Sequence, residues 1–251
     1  MLALLGTSFT FLMTALGAAT VFFFARKVCE RAQGALLGFA AGVMTAASVW
    51  SLILPAIEQT AAEGRLPPFL PAAAGIVLGA LLLALLDEFT RQRGGERVTH
   101  SDFLLLSAIT LHNIPEGGSV GLTAGLAAIA GDSASLSAAF ALALGIGIQN
   151  IPEGAAVSLP LAGQGVSRWR AFWFGTGSGA VEPLFGILAA LAIPLFLPVM
   201  PFMLAFAAGA MLYVVVEELI PAAHLSQHSD AGTLCFIFGF VVMMALDTAL
   251  G

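Results

Sequence analysis

Two stretches, "LHNIPEGGSVGL" at residues 111–122 and "IQNIPEGAAVSL" at residues 148–159, are near copies of each other. Both lie in runs that are otherwise apolar. Each brings a carboxylate, a carboxamide and a proline into such a run, and the first adds an imidazole. A chain that does this twice has a use for polar groups where hydrocarbon would favour leucine.

The surrounding composition sets the solvent. Of 251 residues, 59% are hydrophobic and 10% charged, with mean hydropathy +0.98. Soluble domains carry roughly 25% charged residues, so the chain reads as an integral membrane protein. The formal charge of −6 says little about partners, because many of the acids fall inside apolar runs. No nucleic-acid partner is expected. Cys29 and Cys235 stand far apart, without zinc or redox spacing, and read as packing residues or free thiols. The N-terminus has no basic region ahead of its apolar run, so no signal peptide is expected.

A bilayer-crossing helix needs about 20 apolar residues. Eight such segments are expected, near 3–25, 34–57, 69–89, 102–126, 137–161, 169–193, 200–221 and 232–250. The connections are short, so residues 1–251 read as one transmembrane domain. The runs are too long, and lack the alternation, for a β-barrel. With the N-terminus outside, the inner loops hold Arg26, Lys27, Arg31, Arg91, Arg93, Arg97, Arg168 and Arg170, leaving only Arg65 outside. That asymmetry orients the chain with both termini outside.

Part of the chain repeats on a longer scale. "FAAGVM" (39–44) returns as "FAAGAM" (206–211), and prolines follow at 55 and 221. "LALLD" ending at Asp87 returns as "MMALD" ending at Asp247. Segments 1–3 therefore read as duplicated in segments 6–8, around segments 4 and 5. Three helices per unit invert the second copy, and inverted repeats with a substrate site between them are a transporter signature.

Within the motif, His112 and Glu116 are spaced i, i+4 and share a helix face, with Asn113 one step round. Pro115 cannot donate a hydrogen bond and crowds the Leu111 carbonyl, which predicts a kink. The matching set is Gln149, Asn150, Pro152 and Glu153. Gly117, Gly118 and Gly154 would let another helix approach. Segment 6 adds Glu182, in "GSGAVEPLFG" (177–186). A charge at mid-bilayer costs about 3 kcal/mol on insertion scales, so three unpaired acids cost on the order of 10 kcal/mol. No Lys or Arg lies near the middle of any segment, which leaves protonation or a bound cation. Imidazole with carboxylates suits Zn²⁺, and also Cd²⁺, Fe²⁺ or Mn²⁺. A thioether such as Met44 would favour softer ions.

"AAGVM", "SLILP", "LHNIPEG", "QNIPEGAAV", "EPL", "EELIPAAH" and "ALDTALG" together resemble the ZIP family of divalent-metal transporters, in its bacterial GufA-like branch. The resemblance covers nearly the whole chain. It implies transport of Zn²⁺ and related ions into the cytoplasm, across a bacterial cytoplasmic (inner) membrane. It also implies a binuclear site between segments 2, 4, 5 and 6. Met44, His112, Glu116, Gln149 and Glu153 would form the primary position. Asn113, Asn150 and Glu182 would form the adjoining one, with Glu116 and Glu153 bridging. Two departures stand out. Relatives often have aspartate where this chain has Asn150, and a His-rich cluster where only His100 remains.

Further candidates along a path are Ser51, Glu218, His224 and His228. Glu58 and Glu63, on the outer side, could attract cations. Asp87 and Asp247 read as capping or packing groups. Alternating access between helix bundles is the expected mechanism, and a homodimer through a small-residue face is compatible with the sequence. The alternatives are a membrane metal sensor and an intramembrane metalloenzyme, although HExxH is absent.

Overall fold

The chain is described from a computed structural model that covers residues 1–23, 30–64, 66–92, 97–163, 165–223 and 230–250. Side chains are described throughout except at 30–33, 90–92, 97–105, 108 and 250. Among the described residues every regular element is helical. The α-helices are α1 (Leu2–Ala18), α2 (Glu30–Ala47), α3 (Leu54–Glu63), α4 (Phe69–Gln92), α5 (Arg97–Ala130) and α6 (Ser133–Gly163). They continue with α7 (Arg168–Ser178), α8 (Val181–Leu191), α9 (Ile193–Phe196), α10 (Met200–Val214), α11 (Ile220–Ala222) and α12 (Asp230–Leu250).

Several of these join end to end. A π-helical turn at Ser48–Ile53 links α2 to α3, and another at Val215–Leu219 links α10 to α11. Both turns run up to a proline, Pro55 and Pro221. A proline cannot supply the next ladder hydrogen bond, and widening the turn is one way to absorb the loss.

Seven spans are long and apolar enough to cross a membrane: Leu2–Phe22, Gly34–Glu63, Phe69–Phe89, Ser133–Gly163, Arg168–Leu191, Ile193–Ala222 and Asp230–Ala249. The expected fourth segment corresponds to α5, which has 34 residues but is not among the seven. Its middle carries His112, Asn113, Pro115 and Glu116, the residues that lower its apolar character.

Several expected boundaries move. The eight-residue loop read at 128–135 shrinks to Gly131 and Asp132. Gly131 takes φ +70°, where a side chain would be strained. Asp132 then caps α6: its carboxylate accepts the Ser135 N–H at 2.9 Å and the Ser135 hydroxyl at 2.8 Å. Those bonds, the backbone one first, hold the Asp132 carboxyl below its ordinary value. Much of the "LFLPVMP" loop is helical too, as α9 and a 3-10 turn at Leu197–Val199.

The proline readings divide. Pro115, Pro152 and Pro160 sit inside unbroken helices. The expected sixth segment is instead broken at Gly179 and Ala180, between α7 and α8. Pro183 removes the donor that would close on the Gly179 carbonyl, and "GTGSG" has little helix propensity to resist.

The helices sort into two groups by their most extensive pairings. In one, α1 packs on α6 and α5 on α8; in the other, α2 packs on α12 and α4 on α10. Glycines set the spacing in the second group. Gly42 of α2 lies against the Phe236 carbonyl of α12, and Gly209 of α10 against the Ile76 carbonyl of α4. The FAAG faces are thus occupied within a single chain. In α1, Thr7, Thr10 and Thr14 are fully buried, and their hydroxyls return to the carbonyls of Ala3, Thr7 and Thr10 at 2.8, 3.0 and 3.3 Å. Outward faces are apolar, as lipid requires: Val77, Leu78, Leu81 and Leu85 on α4, and Ile237, Phe238 and Val241 on α12, are exposed. Trp169 and Trp173 are exposed beside Arg168 and Arg170, as interface anchors should be. Trp50 packs edge-on against Phe240, with ring centroids 5.6 Å apart.

A side chain at Gly42 has nowhere to go: its Cβ would stand 2.8 Å from the Phe240 nitrogen, among rigid backbone. Gly42→Ala should therefore destabilise the protein by about 2 kcal/mol. Gly145→Ala, where nothing lies within 4 Å, should stay within about 0.5 kcal/mol of wild type. Thermal unfolding of the detergent-purified variants checks both. Equal losses would show that the α2–α12 contact is not tight.

Candidate metal centre

The polar groups of the two motifs converge. His112 and Glu116 lie on one face of α5, and the His112 Nε2 stands 2.9 Å from Glu116 Oε1. From α6, Glu153 brings Oε1 to 3.3 Å from the same nitrogen. One ligand atom from each of the three lies within 4.8 Å of the others. All are at most 1% exposed. Gln149, one turn before Glu153, donates its Nε2 to Glu116 Oε1. Close helix approach makes this convergence possible. Gly117 packs against the backbone of Glu182, and Gly154 against the Thr14 carbonyl of α1. Gly118, expected to share that role, meets only the end of the Met200 side chain.

The two asparagines are held in matching ways. Asn113 donates its Nδ2 to the Ser178 carbonyl at 3.0 Å, and Asn150 donates to the Thr10 carbonyl at 3.2 Å. A carbonyl can only accept, so each bond fixes which end of the amide is nitrogen. Glu182 sits in the first turn of α8, just after the helix break, and is fully buried. Both its oxygens receive Asn150 Nδ2 at 3.0 Å, and Oε1 also receives the Thr14 hydroxyl at 3.2 Å.

Atoms without a hydrogen-bond partner mark where a ligand fits. Within the cluster they are both His112 nitrogens, Glu116 Oε2, both Glu153 oxygens, and the Oδ1 atoms of Asn113 and Asn150. Buried polar groups are normally satisfied. This set joins one imidazole to carboxylate and amide oxygens, the donor chemistry of a borderline divalent cation.

Of the other predicted residues, Met44 is fully buried in an apolar cluster with Ile109, Val157 and Met211. Ser51 places its hydroxyl 3.1 Å from Gln149 Oε1 and 2.9 Å from Asp247 Oδ1. Both line a cavity of about 460 Å³ that also takes in Glu116, Gln149, Trp50 and Glu58. Glu218 lies in the π-helical turn Val215–Leu219, near Tyr213, which donates its hydroxyl to Asp87 at 3.0 Å. His224 and His228 lie outside the described residues. Sequence reasoning missed Thr10 and Thr14. The signal was present in "TSFTFLMT" (7–14), where three threonines at i, i+3 and i+7 give an apolar segment one polar face. Asp247, read as a packing group, lines the cavity wall.

A buried His and Glu cluster compatible with a metal ion, in a bundle of helices able to cross a membrane, defines the class as an integral membrane protein. The comparisons with known proteins give that class its family. The family model for the ZIP zinc transporter matches residues 95–247. Zinc transporter ZIP11 of Homo sapiens is 38% identical, with 99% of this chain and 97% of that protein aligned. Zinc transporter GufA of Myxococcus xanthus is 36% identical over 95% of this chain and 94% of its own. Zinc transporter ZIPB of Bordetella bronchiseptica is 39% identical over 99% and 81%. The chain belongs to the ZIP zinc transporter family.

A saturating ion that binds only the folded state, at about 100 times its Kd, stabilises by about 2.7 kcal/mol. Zn²⁺ should raise the unfolding temperature of the purified protein accordingly. Glu153→Gln and His112→Ala should abolish the increase while leaving the metal-free protein folded. An undiminished increase in either variant would place the ion elsewhere.

Proposed function

We propose that this protein carries Zn²⁺, and related ions such as Cd²⁺, Fe²⁺ and Mn²⁺, across the membrane into the cytoplasm. The observation that carries the reading is the fully buried cluster of His112, Glu116 and Glu153, in a chain whose relatives are named zinc transporters. Its role is transport and not catalysis. Met44, His112, Glu116, Gln149 and Glu153 form the primary position, with Asn113, Asn150 and Glu182 beside it. Ser51, Glu218, His224 and His228 lie along the path.

Eight crossings, α5 included, would put both termini on one side, and the asymmetry of Lys and Arg argues that this side is the outside of a bacterial inner membrane. A homodimer would have to form on lipid-facing surfaces, since the FAAG glycines pack within one chain.

The inverted-repeat reading is supported by equivalent contacts. Gly42 meets Phe236 as Gly209 meets Ile76, and Gly239 meets Phe39 as Gly79 meets Phe206. Asn113 donates to Ser178 as Asn150 donates to Thr10. Alternating access follows from the two helix groups. The ion rides on α5 and α6, with α1 and α8, while α2, α4, α10 and α12 form the surface against which they move.

Uptake into proteoliposomes tests the reading. Zn²⁺ flux in the wild type should fall to the protein-free leak in His112→Ala and Glu153→Ala. Protons compete for the same groups, because binding requires neutral imidazole and ionised carboxylates. Flux should therefore slow as outside pH falls from about 7 to about 5. Absence of flux from folded, metal-binding wild type would favour a membrane metal sensor or an intramembrane metalloenzyme.

A further inference from the structure

The three buried acids of the site are not in equivalent situations. Neither oxygen of Glu153, nor Glu116 Oε2, receives a hydrogen bond. Both oxygens of Glu182 do. A carboxylate with donors on both oxygens has its burial offset by the protein, whereas one without them needs a proton or a cation.

The donors to Glu182 are fixed by the backbone. The Asn150 nitrogen also binds the Thr10 carbonyl at 3.2 Å, and reversing the amide would set oxygen against oxygen there. The Thr14 Oγ1 lies 3.2 Å from Glu182 Oε1 and 3.3 Å from the Thr10 carbonyl, so its single O–H is shared between the two acceptors. Close packing locks the arrangement. A Cβ on Gly179 would stand 2.9 Å from Thr14 Oγ1 and 3.1 Å from Glu182 Oε1. The equivalent contacts of α1 and the α7–α8 segment match Thr10 with Ser178, and the same offset matches Thr14 with Glu182. The inverted units thus meet as an acid on one side and a hydroxyl donor on the other.

We propose that Thr14 and Asn150 form a built-in donor cap on Glu182, which takes the place of a second metal ion. Glu182 is then a positioning residue. It holds the Asn150 amide so that Oδ1 faces the ion at His112, Glu116 and Glu153, and the chain carries one ion at a time. The inference rests on the transport site argued above and deepens it.

The test is the number of Zn²⁺ ions held per chain at saturation, by elemental analysis and titration calorimetry of detergent-purified protein. Wild type should hold one. Asn150→Asp removes a donor and adds a carboxylate, and should hold two. Thr14→Val and Glu182→Gln should keep one ion with affinity about 10-fold weaker, the scale for groups that orient ligands. Thr14→Ser, which restores the hydroxyl, should recover the wild-type value. Two ions in the wild type would overturn the donor cap while leaving the transport site in place. So would loss of the ion in Glu182→Gln as complete as in Glu153→Gln. No ion in folded wild type would overturn both.

Discussion

Three carboxylates and an imidazole are buried in a chain that has no basic residue between Arg97 and Arg168, and none after Arg170. Much of the architecture answers that constraint. Ion pairing with Lys or Arg, the usual remedy for a buried acid, is unavailable to Glu116, Glu153 and Glu182 within their own helices. Glycines at 117 and 154 bring neighbouring backbones in close, and so bring the carboxylates within reach of a shared partner. The break before α8 sets Glu182 in a helical first turn, where the helix dipole favours negative charge. Each feature costs stability in isolation. Together they are worthwhile only if something positive visits the cluster.

The site is divided by how its charge is met. Asn150 and Thr14 satisfy Glu182 with neutral donors, which are present whether or not an ion is bound. Glu153 and the outer oxygen of Glu116 have no such donors. A carrier needs this distinction. An ion must bind well enough to load and weakly enough to leave, and each bare carboxylate added deepens the well. Donors within the protein place a carboxylate near the path without adding its full attraction to the ion.

Much of this was legible in the sequence because polar residues in apolar runs have few explanations. The i, i+4 pair His112 and Glu116, and its counterpart Gln149 and Glu153, announced a shared face, and that face is where the cluster forms. The membrane class followed from composition. The threonine face of α1 was not recognised, because threonines satisfy themselves on their own helix and look like packing groups. Asp247 was undervalued for a related reason. Its partner, Ser51, lies 196 residues away in sequence, and only the packing of α2 on α12 joins them. Pro115 and Pro152 lie inside continuous helices, whereas the run expected through Pro183 is interrupted at Gly179 and Ala180, where glycines on the N-terminal side let the chain open.

The position of the cavity relates these local features to movement. The clustered side chains of His112, Glu116 and Glu153 belong to α5 and α6, which pack with α1 and α8. The cavity beside them is walled in part by Trp50 and Ser51 of the π-helical turn, by Met200 and Leu204 of α10, and by Asp247 of α12. The cavity wall therefore draws on both helix groups, since Glu116 and Ser119 of α5 and Gly145 and Gln149 of α6 also line it. If the groups move against each other, access to the ion can change while the distances among His112, Glu116 and Glu153 stay fixed. Ser51 is the point of exchange: its single O–H lies within reach of both Gln149, on the ion's side, and Asp247, on the wall. One proton can be donated fully to only one acceptor at a time. One contact between the two groups is thus a hydrogen bond that can change partner, set beside the apolar packing of Met44 and Met211 with Ile109 and Val157.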